Sequence, residues 1–363
     1  MQQGDDARSG HEGRAGRMRG SPGATRRRSG RYPIRGLMGV LGLTSLFVVA
    51  APAAVAHSTT PSRTWINLGP GQAFAVNDRG QIVGRAQTAT GPRAVMWQHG
   101  GRIDLGTLGG GLTDCTAQAI NDRGQVAGTC SSSDLTVSHA FLWFRGRMTD
   151  LGTLGGSFSG ATALNSRGDV AGESQPGSGG SPHAFLWSRG RMADLGTLGA
   201  TFPQSLARGI NNRDQVVGWS TERSGVEQAF LRTHGAMTPL STPMDAQSEA
   251  TAINDRGQIA GTLLHAGFHP VMWRNQKMTV LPTLGGDGAG LGINQRGVVV
   301  GWVDSPSGGT DAALWSDGRL IDLGSAGGTA TIPNGVNDRG DVVGRIDLAS
   351  GLTDAVALLR ARR

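Results

Sequence analysis

Apolar residues in this chain come in short bursts, and the bursts recur. The first kind is Ala73-Phe-Ala-Val-Asn77, Ala117-Gln-Ala-Ile-Asn121 and Ala161-Thr-Ala-Leu-Asn165, with seven copies in all. Two positions before the asparagine stands Ala or Gly in every copy, and one before it Val, Ile or Leu. Four before is Ala or Gly in six copies and Pro333 in the seventh. A period of two with one face kept small predicts a strand packed where space is tight. A second strand, Gln81-Ile-Val-Gly84 or Gln125-Val-Ala-Gly128, closes on a glycine in all seven copies. A third, Ala140-Phe-Leu-Trp143 or Ala184-Phe-Leu-Trp187, leads through a tight Arg/Gly turn to a fourth, Arg147-Met-Thr-Asp-Leu151. Linkers such as Gly152-Thr-Leu-Gly-Gly156 carry the chain to the next unit.

Between the first and second strands lies a polar phrase: Asn77-Asp-Arg-Gly80, Asn121-Asp-Arg-Gly124, Asn165-Ser-Arg-Gly168, Asn211-Asn-Arg-Asp214, Asn254-Asp-Arg-Gly257, Asn294-Gln-Arg-Gly297 and Asn337-Asp-Arg-Gly340. The copies are 44, 44, 46, 43, 40 and 43 residues apart, a period that marks a repeat architecture. Asparagine can bond the backbone two residues on, and glycine at the fourth position supplies the left-handed residue of a type I turn with a G1 bulge. Asp214 replaces that glycine in copy four.

Four short strands in about 43 residues make the unit of a β-propeller blade. Trp65-Ile-Asn-Leu68 aligns with the fourth strand and Ala355-Val-Ala-Leu358 with the third. The seventh unit therefore lacks its outer strand, which the N-terminal strand is free to supply, closing the ring and removing exposed edges. The expected fold is all-β, a seven-bladed propeller over residues 64–360. An open solenoid is the alternative, but 43 residues and four strands are long for one coil, and no capping repeat is visible.

Charge changes the picture little. The chain is +7 overall, but nine arginines against three acids place +6 of this in residues 1–36, leaving 25 basic and 24 acidic residues elsewhere. No basic stripe belongs to the repeats, so nucleic acid is not an expected partner. An apolar run from Leu37 to about Val49 and the ending Ala54-Val-Ala56 read as a signal peptide over residues 1–56, cut after Ala56, with translation from Met1 or Met18. An uncleaved segment would be a membrane anchor. Residues 57–63 form a linker and 361–363 a basic tail. Export makes a disulfide expected between Cys115 and Cys130, which flank the second turn and fall within one residue of facing each other.

The segments His139-Ala-Phe141 and His183-Ala-Phe185, with Asp-Leu-Gly-Thr-Leu-Gly-Gly and Ile-Asn-Asp-Arg-Gly-Gln-Val, resemble the HAF repeat of predicted extracellular bacterial proteins. The resemblance runs from Trp65 to Leu358 and departs most in copy four, at Arg232 and at Met237-Thr-Pro-Leu240. It implies export and repetition, and brings no settled activity and no catalytic residues.

Residues recurring in nearly every unit are expected to build blades: the Asn-Asp-Arg-Gly phrases, Asp104, Asp150, Asp194 and Asp322 in the fourth strand, and Trp97, Trp143, Trp187, Trp273 and Trp315. Chemistry should break the symmetry. The unrepeated candidates lie after the glycine-ended strand: Trp219, Glu222, Arg223 and Glu227 in copy four, Trp302 and Asp304 in copy six. Neither a G-x-S-x-G nucleophile nor an H-E-x-x-H metal motif occurs, and no cofactor or metal is expected. The expected function is a secreted, non-enzymatic propeller whose variable loops bind an extracellular protein, glycan or small molecule. The alternative is a polysaccharide hydrolase or lyase using Glu222 and Glu227 as carboxylates. The only tyrosine, Tyr32, lies in the leader, which tilts the ligand away from glycans.

Overall fold

The computed structural model describes residues 64–360 except 90, 178 and 245. The expected leader, signal segment, linker and basic tail lie outside the described residues. Within them the strands run from Trp65 to Leu358 and no helix is present. None is therefore long and apolar enough to cross a membrane among the described residues.

The strands form a seven-bladed β-propeller. Blade 2 is typical: Leu112–Ile120, Val126–Ser132, Ser138–Phe144 and Arg147–Asp150 pair in sequence order, all antiparallel. The first strand Trp65–Val76 serves two blades. Its start, from Trp65 to Pro70, pairs with Thr353–Leu358 as the outer strand of blade 7, and its end, from Gly71 to Val76, pairs with Ile82–Thr88 as the inner strand of blade 1. This is the expected closure. It joins the two blades into one hydrogen-bonded sheet, to which blade 6 is linked by a single parallel bridge, Thr310 to Ala330.

The core is divided among the blade interfaces. Seven buried clusters fall one to each pair of neighbouring blades; Val217, Ala229 and Leu231 of blade 4, for instance, meet Ala250, Ile259 and Trp273 of blade 5. Blades 2, 3 and 4 fill this space with fully buried Phe141, Phe185 and Phe230. Blades 1, 5 and 6 have Val95, Val271 and Ala313 there, and bury Trp97, Trp273 and Trp315 from two residues further along the same face. Where phenylalanine fills the gap, Trp143 and Trp187 stay partly exposed.

One regularity escaped the sequence. Every innermost strand carries a β-bulge three residues before its asparagine, at Phe74, Gln118, Thr162, Arg208, Thr251, Leu291 and Asn334. The extra residue drives a carbonyl of the inner strand against the second strand. A Cβ on Gly84, Gly128, Gly172, Gly218, Gly261, Gly301 or Gly344 would overlap that oxygen, which explains the glycine of every second strand. The bulge also removes the one-residue mismatch between the cysteines. Cys115 and Cys130 are direct partners, 4.0 Å apart at Cα, and form the expected disulfide.

The small residue two before asparagine has a separate cause. A Cβ on Gly209 would come within 3.1 Å of the Ala252 backbone in the next blade, and one on Gly335 within 2.9 Å of the Phe74 carbonyl oxygen. Inner strands crowd one another around the axis, and only Ala or Gly fits.

Candidate functional site

The axial channel has two ends. Asn-Asp-Arg-Gly turns surround one end, and this turn face is built by the repeat itself. Each asparagine carboxamide is buried and donates from Nδ2 to the main-chain oxygen of the next blade's asparagine. The chain of bonds runs from Asn77 through Asn121, Asn165, Asn211, Asn254, Asn294 and Asn337 back to Asn77, at 2.9–3.4 Å. The Oδ1 of the same residue accepts from its own turn, as Asn121 does from the Arg123 and Gln125 amides. A second run of bonds links the following residues: the Asp338 amide donates to Asp78, that of Asp78 to Asp122, that of Gln295 to Asp338, that of Asp255 to Gln295, that of Asn212 to Asp255 and that of Ser166 to Asn212.

These residues enclose a mouth of about 200 Å³. Burial raises the pKa of Asp78, and the neighbouring carboxylates Asp122 and Asp338 add to the rise. Every asparagine at this end is consumed in joining blades.

The fourth-strand aspartates are likewise structural. Asp150 accepts from the Gly152 amide at 2.7 Å and pairs with His139 Nδ1 at 2.7 Å; Asp194 does the same with Gly196 and His183. In blade 7, Asn67 takes the aspartate's place, accepting from the Gly69 amide and donating to Asp354. The histidine of His-Ala-Phe and the aspartate of Asp-Leu-Gly are thus two halves of one blade clasp.

The opposite end lies on the loop face, where second strands turn into third strands and linkers enter. Most of the unrepeated candidates gather here, although four are not in loops as expected, Glu227 opening the strand Glu227–Thr233. Trp219 lies within the strand Val216–Thr221, and Trp302 and Asp304 lie within Val299–Asp304. Trp302 meets the Phe268 ring of blade 5 at 6.4 Å, tilted by 56°. The Asp304 carboxylate accepts from the Asp287 amide at 3.0 Å and so pins a linker. Arg223 is exposed at the tip of the blade 4 hairpin.

Glu222 and Glu227 sit on the two sides of one surface hairpin. The Glu222 carboxylate accepts from Ser224 within its own turn at 2.7 Å, and Glu227 starts the strand opposite Thr221. No cluster of three or more metal-ligating side chains exists among the described residues.

Sequence reasoning missed the ring to which both tryptophans belong. The residue after the glycine of each second strand is Arg85, Thr129, Glu173, Trp219, Thr262, Trp302 or Arg345, half-buried in every blade. This column breaks symmetry while its neighbours keep it, and that variation was the available signal. Two of these side chains meet the inner strand of the next blade. Arg85 pairs with Asp114 at 2.8 Å, and a Cβ on Gly160 would stand 3.2 Å from the Thr129 hydroxyl. Nearby, Arg208 of the blade 4 bulge pairs with Glu249 of blade 5 at 2.6 Å.

The sequence matches no protein-family model and no curated protein. Its fold superposes on the β-propeller domain of the Trilobed protease from Pyrococcus furiosus, with a TM-score of 0.56 and 9% identity over 82% of this chain and 96% of that one. It also superposes on a Mycobacterium tuberculosis puromycin-hydrolyzing peptidase, with a TM-score of 0.53 and 14% identity over 81% of this chain and 50% of that one. A prolyl endopeptidase gives a TM-score of 0.55 and 11% identity over 81% and 50%. The chain spans about half the length of these last two peptidases.

At such identities the likeness establishes the fold. It also corrects the functional expectation, because these propellers occur in peptidases and proteases. Neither the non-enzymatic binding scaffold nor its polysaccharide hydrolase alternative is sustained. The hydrolase reading rested on Glu222 and Glu227; the binding reading, and the leaning against an enzyme, rested on the lack of catalytic groups in the repeats. Such a lack says nothing about groups carried beyond them.

Proposed function

We propose that this protein is an exported propeller forming the substrate-handling part of a peptide hydrolase, with the hydrolytic groups carried by a domain or chain outside the described residues. The observation that carries this reading is the unrepeated ring of second-strand residues. It offers one side chain per blade, mixing two arginines, two tryptophans, two threonines and a glutamate. Such a set can hold a peptide by aromatic faces and by charge, on a frame made rigid by the asparagine ring.

The apolar loop face supports a partner there. Phe202 and Met244, on the linkers flanking blade 4, are 80% and 88% exposed, and covering them would bury apolar surface. Export is supported by the arginine-rich start, the apolar run and the Cys115–Cys130 disulfide. Membership of the HAF-repeat family is part of the same proposal.

The test is size-exclusion chromatography of the protein released by cells that express it, with fractions assayed on a panel of fluorogenic peptides. Peptide cleavage should co-elute with the propeller, and Phe202→Ser with Met244→Ser should separate the two. A propeller that elutes without peptidase activity, and binds no peptide, would refute the reading.

A further inference from the structure

The near-zero net charge of the repeats hides a sorting of charge by the fold. The described residues hold 22 basic and 23 acidic side chains. Third strands run back toward the asparagine turns, so the hairpins that join them to fourth strands share that end. Trp143, for instance, pairs with Val126 just past the Asn121 turn, and the hairpin to Arg147 follows it. The turn face therefore gathers both kinds of turn. Its inner ring is the arginine of each Asn-Asp-Arg-Gly copy, from Arg79 to Arg339, exposed in all seven blades. Its outer ring is eight exposed basic residues on the hairpins: Arg145 and Arg147 in blade 2, Arg189 and Arg191 in blade 3, Arg274 and Lys277 in blade 5, and one each in blades 1 and 6. With exposed Arg360 this face holds 16 basic residues against eight acids, which leaves six basic and 15 acidic residues for the rest of the propeller.

The excess is free to act outward. Among the described residues, Arg167 and Arg339 alone of both rings lie within ion-pair distance of a carboxylate. Six of the eight acids accept hydrogen bonds from the turns themselves. The described chain also begins and ends at this face: Trp65 pairs with Leu358, and Leu358 with Val342 just past the Asn337 turn. Beyond those residues the sequence carries an apolar run from Leu37 to about Val49 on one side, and Arg362 and Arg363 on the other. On the outer ring the Arg145 guanidinium stands 5.0 Å from the centre of the Phe144 ring, which is 36% exposed. Basic and aromatic side chains side by side suit a layer of lipid headgroups.

We propose that the turn face docks the protein on an anionic lipid surface and so presents the loop face to the surroundings. Charge laid in two rings about an axis matches a plane of phosphate headgroups, whereas a nucleic-acid duplex is followed by a stripe or groove of basic residues. Each arginine held near such a surface adds to the attraction, which falls off within about one Debye length. The proposal is independent of the peptide reading, which concerns the opposite end of the propeller.

The experiment is co-sedimentation of the full chain with vesicles of phosphatidylcholine alone, and with vesicles containing about a quarter phosphatidylglycerol. Binding should require the anionic lipid and fall at least about tenfold as salt rises from about 0.1 M to about 0.5 M. Arg147→Gln with Arg191→Gln should weaken it by about fivefold for each charge removed. Arg223→Gln, on the loop face, should leave it unchanged, with circular dichroism checking that each variant folds. Equal binding to neutral vesicles, or anionic binding that Arg147→Gln with Arg191→Gln leaves unaltered, puts the attachment outside the turn face and overturns the proposal. Tighter binding to a DNA duplex than to the vesicles, at equal phosphate, overturns lipid as the partner. No binding to either vesicle overturns it outright.

Discussion

Replacing one asparagine of the turn face should unclip two blades, and the size of the effect can be worked out bond by bond. The Asn121 side chain, in a residue 6% exposed, makes four hydrogen bonds: Nδ2 to the Asn165 oxygen at 3.0 Å and to Gln125 Oε1 at 2.8 Å, and Oδ1 from the Arg123 and Gln125 amides at 3.0 and 3.1 Å. Each contributes about 1 kcal/mol net, so Asn121→Ala should cost ~4 kcal/mol. For a domain of this size that is a fall in Tm of ~6 °C by scanning calorimetry. Asn121→Asp keeps the acceptor but turns a carboxylate oxygen toward two other oxygens, so it should be at least as damaging at neutral pH. Its carboxyl would be raised in the folded state, so stability should recover as pH falls through that value. The exposed neighbour Arg123 is the control, and Arg123→Ala should change stability by about 0.5 kcal/mol or less. A loss below ~1 kcal/mol for Asn121→Ala, or one no greater than for Arg123→Ala, would refute the clip.

Reduction of the Cys115–Cys130 disulfide, which closes 15 residues, should cost roughly 3 kcal/mol, seen as a lower Tm in reductant that the double serine variant reproduces without it. Gly128→Ala should prevent normal folding, because the new methyl overlaps the Thr116 carbonyl. Gly146→Ala, at φ +83° with open space around it, should cost only about 1 kcal/mol; soluble yield and circular dichroism compare them. Because Glu173 holds its proton more tightly folded than unfolded, the cost of ionising it is absent below the unfolded pKa and grows as pH rises through the folded one. Glu173→Gln should therefore raise Tm at about pH 8 and leave it unchanged at about pH 4.

Much of the architecture could be read from the chain because each blade is a copy. The turn chemistry of Asn-Asp-Arg-Gly, the closing role of Trp65–Leu68 and the pairing of the cysteines all follow from local rules applied seven times. The bulge did not, since its only trace is a one-residue mismatch between Cys115 and Cys130 and a glycine whose cause lies on the next strand. The exchange of Phe141 for Trp273 as the filler of a blade interface was hidden too, because the two side chains enter one space from different positions. Chemistry was harder still. Trp219 and Trp302 stood out by residue type, but the basic turn face did not, because a near-zero net charge conceals how the fold sorts charges between its two ends. Glu222 and Glu227 were conspicuous in sequence and turn out to belong to the two sides of a surface hairpin.

Hydrogen–deuterium exchange of the full chain, with and without a saturating peptide, tests most directly whether function lies at the unrepeated ring. Protection is predicted in Val170–Ser174, Val216–Thr221 and Val299–Asp304, the second strands of blades 3, 4 and 6, with the asparagine turns unchanged. Protection confined to the asparagine turns, or to the outer strands, would contradict the account.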